Sequence, residues 1–479
     1  MTQVERSPTG SWILSINPGP LIECSKLVWA VGATSRPFIP SWPRSDSFSG
    51  LVIHSHDTGA NLEHIVSQQV SRATVVGAAK SSLDTVYLLL KAGKKVDWLI
   101  REEGAGSLAM AAPTFLGIWN IIDAISTRAL ASFSPSIMNT SGFLYKALHR
   151  TRAGRLATKA FWHVATWLSD RAAGYGANEK FDMLRPSPDG SWLFWARAGL
   201  GTASAPDFWK VLHNGDMTVH RTEIGSLSGA NTVNLKNGTS IQSDIVIACT
   251  GFERAYRAFN RTLREELGIT YMYAESDAEK WRKLDARGDA VVDELLPFLK
   301  ENAPSVEPVV LPARAGKKEA TSPSTKNDDD DDAVPDGPSR HYRRLIPLNL
   351  AGRNDRSICF PGVVHTILTP TVWEVQALWC AAYMLGQIDP PESMDEMEME
   401  VATFNAWARK RYLDVGRRHA YCIYDFLSYI DTLARDLGIK TNRKKNWFQE
   451  MFVRYKPSDY RGLVDEFLAT QRTVWRHRY

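Results

Sequence analysis

A glycine, two serines, a lysine and a more distant arginine are the first residues whose types and spacing suggest chemistry. Val75-Val-Gly-Ala-Ala-Lys-Ser-Ser-Leu-Asp84 passes from an apolar strand pattern into a helical one through Gly77. Such a turn aims helix N-terminal amides, and the positive end of the helix dipole, at a pyrophosphate. Gly77 permits the turn, Ala79 stands where the second glycine of G-x-G-x-x-G would be, and Ser82 stands at the third. Lys80 and Ser81 lie inside the turn as candidate phosphate partners. A methyl group at Ala79 crowds a diphosphate, and a strand-to-helix turn that binds nothing would carry the same pattern. Arg101 falls about 20 residues farther on, where the ribose selector of a dinucleotide fold sits. An acidic residue there would prefer NAD; an arginine can pair bidentately with a 2′-phosphate, so the pattern prefers NADPH. Glu102 and Glu103 follow directly and oppose that charge. The competing reading of Arg101 is a solvated arginine at a strand end.

Further segments gain meaning from their order. Phe48-Ser-Gly-Leu-Val-Ile-His54 precedes the turn. Two apolar runs end in glycine: Trp29-Ala-Val-Gly32, followed by Arg36-Pro-Phe-Ile-Pro40, and Ile247-Ala-Cys-Thr-Gly-Phe252, preceded by Asn237-Gly238 and Asp244. Ile358-Cys-Phe-Pro-Gly362, Glu374 to Trp379, Trp407 and Arg411-Tyr412 close the series. In this order the segments resemble the flavin-containing and Baeyer–Villiger monooxygenase family, over most of residues 10–260 and 345–470. Phe48 to His54 is similar to its F-x-G-x-x-x-H fingerprint, although Thr58 stands where the family has an aromatic residue. The resemblance implies FAD and NADPH as cofactors, and His54 as the catalytic-site histidine that couples the two nucleotide domains. It implies that Gly32, Thr250 and Gly251 mark the crossings between those domains. It also implies that reduced flavin captures O2 as a C4a-hydroperoxide and passes one oxygen atom to a small organic substrate.

These residues need elements to hold them. Residues 1–40 read as β-rich, with strands at Trp12 to Ile16 and Lys26 to Val31. Residues 73–101 form a β-α-β pattern: Ala73 to Val76, Lys80 to Leu90 with Gly93 as its C-terminal glycine, then Lys95 to Ile100. Residues 105–185 and 371–440 read as largely helical. Residues 217–250 read as a meander, with strands at Thr218 to His220, Thr232 to Leu235 and Ile245 to Cys249 around the Asn237-Gly238 turn. Residues 313–340, with five consecutive aspartates, carry almost no apolar side chains and read as a disordered surface insert.

The expected architecture is α/β: a two-dinucleotide-binding-domain flavoprotein of Rossmann type. Residues 1–50 are a remnant of the FAD domain. Residues 51–250 are the NADPH domain with a helical insert at 105–210, and residues 251–479 return to the FAD domain. The first 24 residues contain only Gly10 and Gly19, so the first FAD βαβ unit is expected to be missing. That opens an alternative, a catalytically impaired NADPH-binding protein. The substrate pocket is expected from residues 105–210 and 345–380.

Composition excludes several other classes. Of 479 residues, 44% are hydrophobic and 23% charged, which is ordinary for globular proteins. A net charge of +4 points to no nucleic-acid partner. The five cysteines form no C-x-x-C pair, which argues against a metal site or disulfide scaffold and fits a reducing, cytoplasmic setting. No apolar window reaches the roughly 20 residues of a spanning helix. A basic stretch, Lys146 to Lys159 interleaved with Phe143, Leu144, Leu148, Phe161 and Trp162, could lie on a membrane surface or be an ordinary solvated helix.

Overall fold

The computed structural model describes residues 3–115, 118–177, 179–253, 256–269, 275–306 and 339–478. The chain opens on an antiparallel sheet of β1 (Gln3–Arg6), β2 (Trp12–Ser15) and β3 (Leu21–Cys24). A short strand, β4 (Leu27–Val28), follows. Trp12 is fully buried, and its indole N–H donates to the Ser357 carbonyl at 3.1 Å. Trp12 shares one core with Trp29, Phe259, Ile358 and Phe360. The chain's beginning and its last third therefore pack as one unit.

Short strands, most continuously apolar at Ile245–Ala248, make the central sheet. Its strands are β5 (Leu51–His54), β6 (Arg72–Val76), β7 (Lys95–Ile100), β8 (Met217–Arg221) and β9 (Ile245–Ala248). They lie in the order β8-β7-β6-β9-β5, and every pairing is parallel. A parallel sheet is covered on both faces, so its strands read as continuous apolar runs. All four residues of β9 are buried, and five of the six in β7. The expected meander is corrected accordingly. Its outer strands, β8 and β9, belong to the central sheet. The antiparallel ribbon lies between them, at Ile224–Ser228, Thr232–Leu235 and Ser240–Gln242. Thr232 to Leu235 alternates half-buried with buried, the period of a one-sided sheet, whereas β9 does not alternate.

Helix α1 (Lys80–Lys91) covers the sheet with Leu83, Val86, Leu89 and Leu90, and Gly93, at φ +73°, ends it as expected. Buried Asp97 in β7 joins three adjacent strands: it accepts from Arg72 of β6 at 2.5 and 3.0 Å and lies 2.9 Å from His220 of β8. Burial alone would raise the Asp97 carboxyl, but hydrogen bonds from His220 and Arg72 hold it below its usual range.

The helical body begins with α2 (Ile121–Ile125) and α3 (Arg152–Ala173). It continues with α4 (Glu275–Leu295), α5 (Thr369–Met384) and α6 (Met394–Arg418). Several tryptophans serve the core here: Trp192, Trp195, Trp379 and Trp407 are almost wholly buried. The basic stretch around α3 is only partly open. Phe143 and Leu156 are exposed, but Trp162 is buried and Arg155 pairs with Glu301 at 2.8 Å. Most of the aspartate-rich insert lies outside the described residues. Its expected end at residue 340 is corrected: Ser339 is buried and the Arg340 guanidinium sits 4.0 Å above the Trp281 ring. Among the described residues no helix is long and apolar enough to cross a membrane.

Candidate active site

Gly77 is fixed by its surroundings. Its φ is +131°, and a Cβ there would lie 2.3 Å from the Cys249 carbonyl oxygen at the end of β9. No other residue type fits that close approach. The Gly77 N–H donates to the Leu99 carbonyl at 3.0 Å, and the Trp98 indole donates to the Gly77 carbonyl at 2.7 Å. The turn is thereby clamped between two strand ends. Ala79 sits at the N-cap of α1 in extended conformation and supplies no side-chain cap, so the first-turn amides keep no side-chain acceptor. Ala79 and Ser81 are exposed. Ser82 is buried, and its hydroxyl donates to the Ala79 carbonyl at 2.6 Å. Lys80 Nζ pairs with Asp84 at 2.5 Å, and Ser204 donates to the same carboxylate.

Arg101 is exposed directly after β7 and has no ion pair among the described residues. The structure adds a second cation that sequence reasoning missed. Arg221 ends β8 in register with Ile100, beside Arg101. It is half-buried, and burial lowers its affinity for a proton, with the Glu102 carboxylate partly offsetting this, so a phosphate there would add a second compensating charge. Its signal in the sequence was a basic residue closing the strand next to Arg101, and the meander assignment hid that neighbourhood.

His54 ends β5, paired in register with Ala248 of β9. The ring is fully buried. Nδ1 accepts from the His56 N–H at 3.1 Å, and Nε2 donates to the Gly251 carbonyl at 2.9 Å. Both nitrogens are thus engaged by backbone, and burial holds the imidazole below its usual pKa. Thr250 donates its hydroxyl to the Phe38 carbonyl, and the Phe38 N–H donates to the Gly251 carbonyl at 3.0 Å. Phe252–Glu253 pairs with Arg36–Pro37. Arg36 to Phe38, which follow the first glycine-ended run, therefore lie beside the end of the second, where His54 holds the Gly251 carbonyl. Gly50 leaves room for the Phe48 ring, which a Cβ would meet at 2.7 Å.

Gly32 lies apart from this node. It follows β4, which pairs in parallel with β10 (Ile358–Cys359). Gly32 and Gly362 both have positive φ. The Gly362 N–H donates to Gln376 of α5 at 2.9 Å, and α5 starts without a side-chain cap. Trp373 is 41% exposed near Gly362, and Val28 and Val31 are exposed beside Gly32. An open apolar shelf with two permissive turns and an uncapped helix start fits a flat aromatic cofactor. Among the described residues, Gly77 marks the one glycine turn from a central-sheet strand into a helix of eight or more residues.

A cavity of about 280 Å³ opens beside the Gly77 turn. Its walls come from α2, α3, the parallel pair Ala109–Ala111 and Leu200–Thr202, and the segments at Thr366 and Ile423. Lys80 of the nucleotide turn is one of its lining residues. Most of the wall falls inside the two regions expected from the sequence; Lys80, Ile423 and Tyr424 fall outside them. The lining is nearly all apolar, with Ser134, Thr202 and Thr366 as its small polar groups.

Comparison with known proteins agrees with the segment order. No protein-family model matches the chain. FAD-dependent monooxygenase DEP4 of Alternaria brassicicola is 48% identical over 477 residues, covering 98% of this chain and 78% of that protein. DEP4 of Fusarium langsethiae is 47% identical with the same coverage. FAD-dependent monooxygenase resA of Aspergillus sclerotiorum is 34% identical over 94% of this chain and 76% of its own length. Among solved structures, an open crystal structure of cyclohexanone monooxygenase aligns with TM-score 0.47 and 13% identity, over 91% of this chain and 76% of that one. These identities leave the pseudoenzyme alternative without support, and by them the chain belongs to the family of FAD-dependent monooxygenases.

Proposed function

We propose that this FAD-dependent monooxygenase draws its electrons from NADPH held at the Gly77 turn, and oxygenates a small apolar substrate in the adjoining cavity. The observation that carries the reading is Lys80, which opens α1 at the nucleotide turn and also lines the cavity. In this reading the amides of Lys80 and Ser81 bind the NADPH diphosphate. Arg101 and Arg221 hold the 2′-phosphate from two adjacent strand ends. Lys80 exchanges Asp84 for phosphate when the nucleotide arrives. Gly32, Gly362 and Trp373 form the shelf for one face of FAD. The chemistry FAD supplies when bound is electron transfer from the nicotinamide to O2 and of one oxygen atom to the substrate. Residues 1–50 and 251–479 serve the flavin side, and residues 51–250 the nicotinamide side with the helical insert.

His54 is a positioning residue in this scheme. It holds Gly251, and through it the segment at Phe38, and both ring nitrogens are engaged by backbone, which leaves neither for substrate. The apolar walls bind by area and exclude water, which protects a reactive oxidant. The test is to reduce the cavity. Ala131→Phe and Ala165→Phe each project a ring into it. Each should raise KM for a bulky substrate by about tenfold, the value of one or two lost buried groups, and leave NADPH affinity unchanged. Equal turnover of large and small substrates by both variants would remove the cavity from the reaction.

A further inference from the structure

An aromatic cluster stands exposed far along the chain, on α7 (Trp447–Phe452). Trp447, Phe448 and Phe452 are 71%, 63% and 52% exposed, and Val453 beside them is exposed too. Their rings touch: the Trp447 and Phe452 centroids are 6.2 Å apart, and those of Phe448 and Phe452 are 5.0 Å apart. A contiguous apolar patch of this kind on a folded surface marks a place of contact.

The cluster is presented by a built support. Glu450, on the inner side of α7, is buried. It accepts from Arg128 at 2.5 Å and from the Arg443 and Lys444 amides at 3.1 and 3.0 Å. Asn446 caps the helix through the Gln449 N–H at 2.9 Å. Around the rings the charge is one-sided. From Lys440 to Arg461 there are seven basic residues and two acidic ones, in a chain whose net charge is only +4. Glu450 pairs with Arg128, outside this stretch, while Arg443, Lys444 and Arg454 within it pair with Glu466, Asp459 and Asp123, which leaves Lys440, Lys445, Lys456 and Arg461 as its outer basic residues. Lys445 and Arg461 are exposed and have no carboxylate partner among the described residues.

We propose that α7 and its basic frame dock on the surface of an anionic lipid bilayer, with Trp447, Phe448 and Phe452 seated at the headgroup level. Exposed aromatic rings flanked by lysine and arginine are what such an interface selects. A second copy of this chain is the poorer occupant. A two-fold contact would set the same basic frame against itself. The surface also adjoins the cavity. Arg454 pairs with Asp123 of α2, and the Tyr455 N–H donates to the Ser126 carbonyl at 2.8 Å. Ile121, Ile122 and Ile125 of α2 line the cavity. Docking there brings the cavity wall to the lipid, the phase in which an apolar substrate concentrates. That last step rests on the reading of the cavity as the substrate site; the docking itself does not.

Vesicle co-sedimentation tests it with the full chain. The protein should pellet with phosphatidylcholine vesicles containing phosphatidylserine, less with phosphatidylcholine alone, and less at high salt. Trp447→Ser/Phe448→Ser/Phe452→Ser should abolish pelleting. Lys445→Glu/Arg461→Glu should weaken it by about tenfold or more. Both should keep the parent melting temperature, since the substituted side chains face solvent. Ala131→Phe, which narrows the cavity, should leave pelleting unchanged, so the two readings fail separately. The docking is overturned if the parent chain stays in the supernatant with anionic vesicles, or if the ring-free variant pellets as well as the parent. It is also overturned if ring removal converts a dimer to a monomer in size-exclusion light scattering.

Discussion

In the proposed function Arg101 and Arg221 divide one task by position. Arg101 is free in solvent, and Arg221 is half-buried one strand away. A phosphate between them gains charge-assisted hydrogen bonds that an unphosphorylated ribose cannot accept. Arg101→Ala should weaken NADPH binding by about 1.5–3 kcal/mol and leave NADH within a few tenths. Titration of each cofactor into parent and variant measures it, and equal losses for both would refute the assignment. His54 shows the converse. Its residue type suggests proton transfer, but its hydrogen bonds to the His56 amide and the Gly251 carbonyl leave neither nitrogen for substrate. The spacing to Phe48 and Gly50 singled it out in the sequence. Its engagement by backbone was not legible there, because Gly251 is brought to it by strand pairing.

Among the elements, α4 and α6 pack closely at Gly288. A Cβ on Gly288 would meet the Ala402 carbonyl oxygen at 2.7 Å, and that atom is backbone. Two effects of opposite sign act there. Alanine favours an isolated helix by about 1 kcal/mol over glycine. Forcing two helix backbones apart costs about 1–3 kcal/mol. The second should win, so Gly288→Ala should lower the denaturation free energy by about 1 kcal/mol while raising the helicity of an isolated α4 peptide. A stabilised protein would mean that the helices separate freely. The same contrast explains the meander. Local pattern found its strands, but the sheet each strand joined followed from which runs could be buried on both faces.

For the whole molecule, buried neutral histidines set the response to acid. His149 and His341 are almost wholly buried, and each directs Nε2 to a backbone carbonyl while Nδ1 has no hydrogen-bond partner among the described residues. Burial is the largest cause that lowers both, with Arg411 near His149 and Arg344 near His341 adding to it; His341 falls to about 3. Above the unfolded value of about 6.5, folded and unfolded chains are both neutral at these sites. Below it the unfolded chain takes up the protons before the folded one does, so stability falls as pH drops. The loss is up to about 1.4 kcal/mol per pH unit for each histidine. Urea unfolding between about pH 6.5 and pH 5 should show it, before the paired carboxylates such as Asp97 begin to titrate. Flat stability across that window would mean that these rings become solvated.

What the sequence by itself determined is what short-range sterics and periodicity carry. Gly77, the β-α-β unit around it, the glycine at the end of α1, the helical stretches and the order of the family segments were all readable in windows of a few residues. Tertiary structure alone decided the rest. It placed β8 and β9 in one sheet and so set Arg221 beside Arg101. It gathered the cavity from Lys80, α2, α3 and Ile423, whose positions span much of the chain. It left Trp447, Phe448 and Phe452 in solvent while burying Trp379 and Trp407, residues of the same kind. A side chain's type sets what it could do; burial and neighbours depend on which distant surfaces close over it, and no local pattern records that.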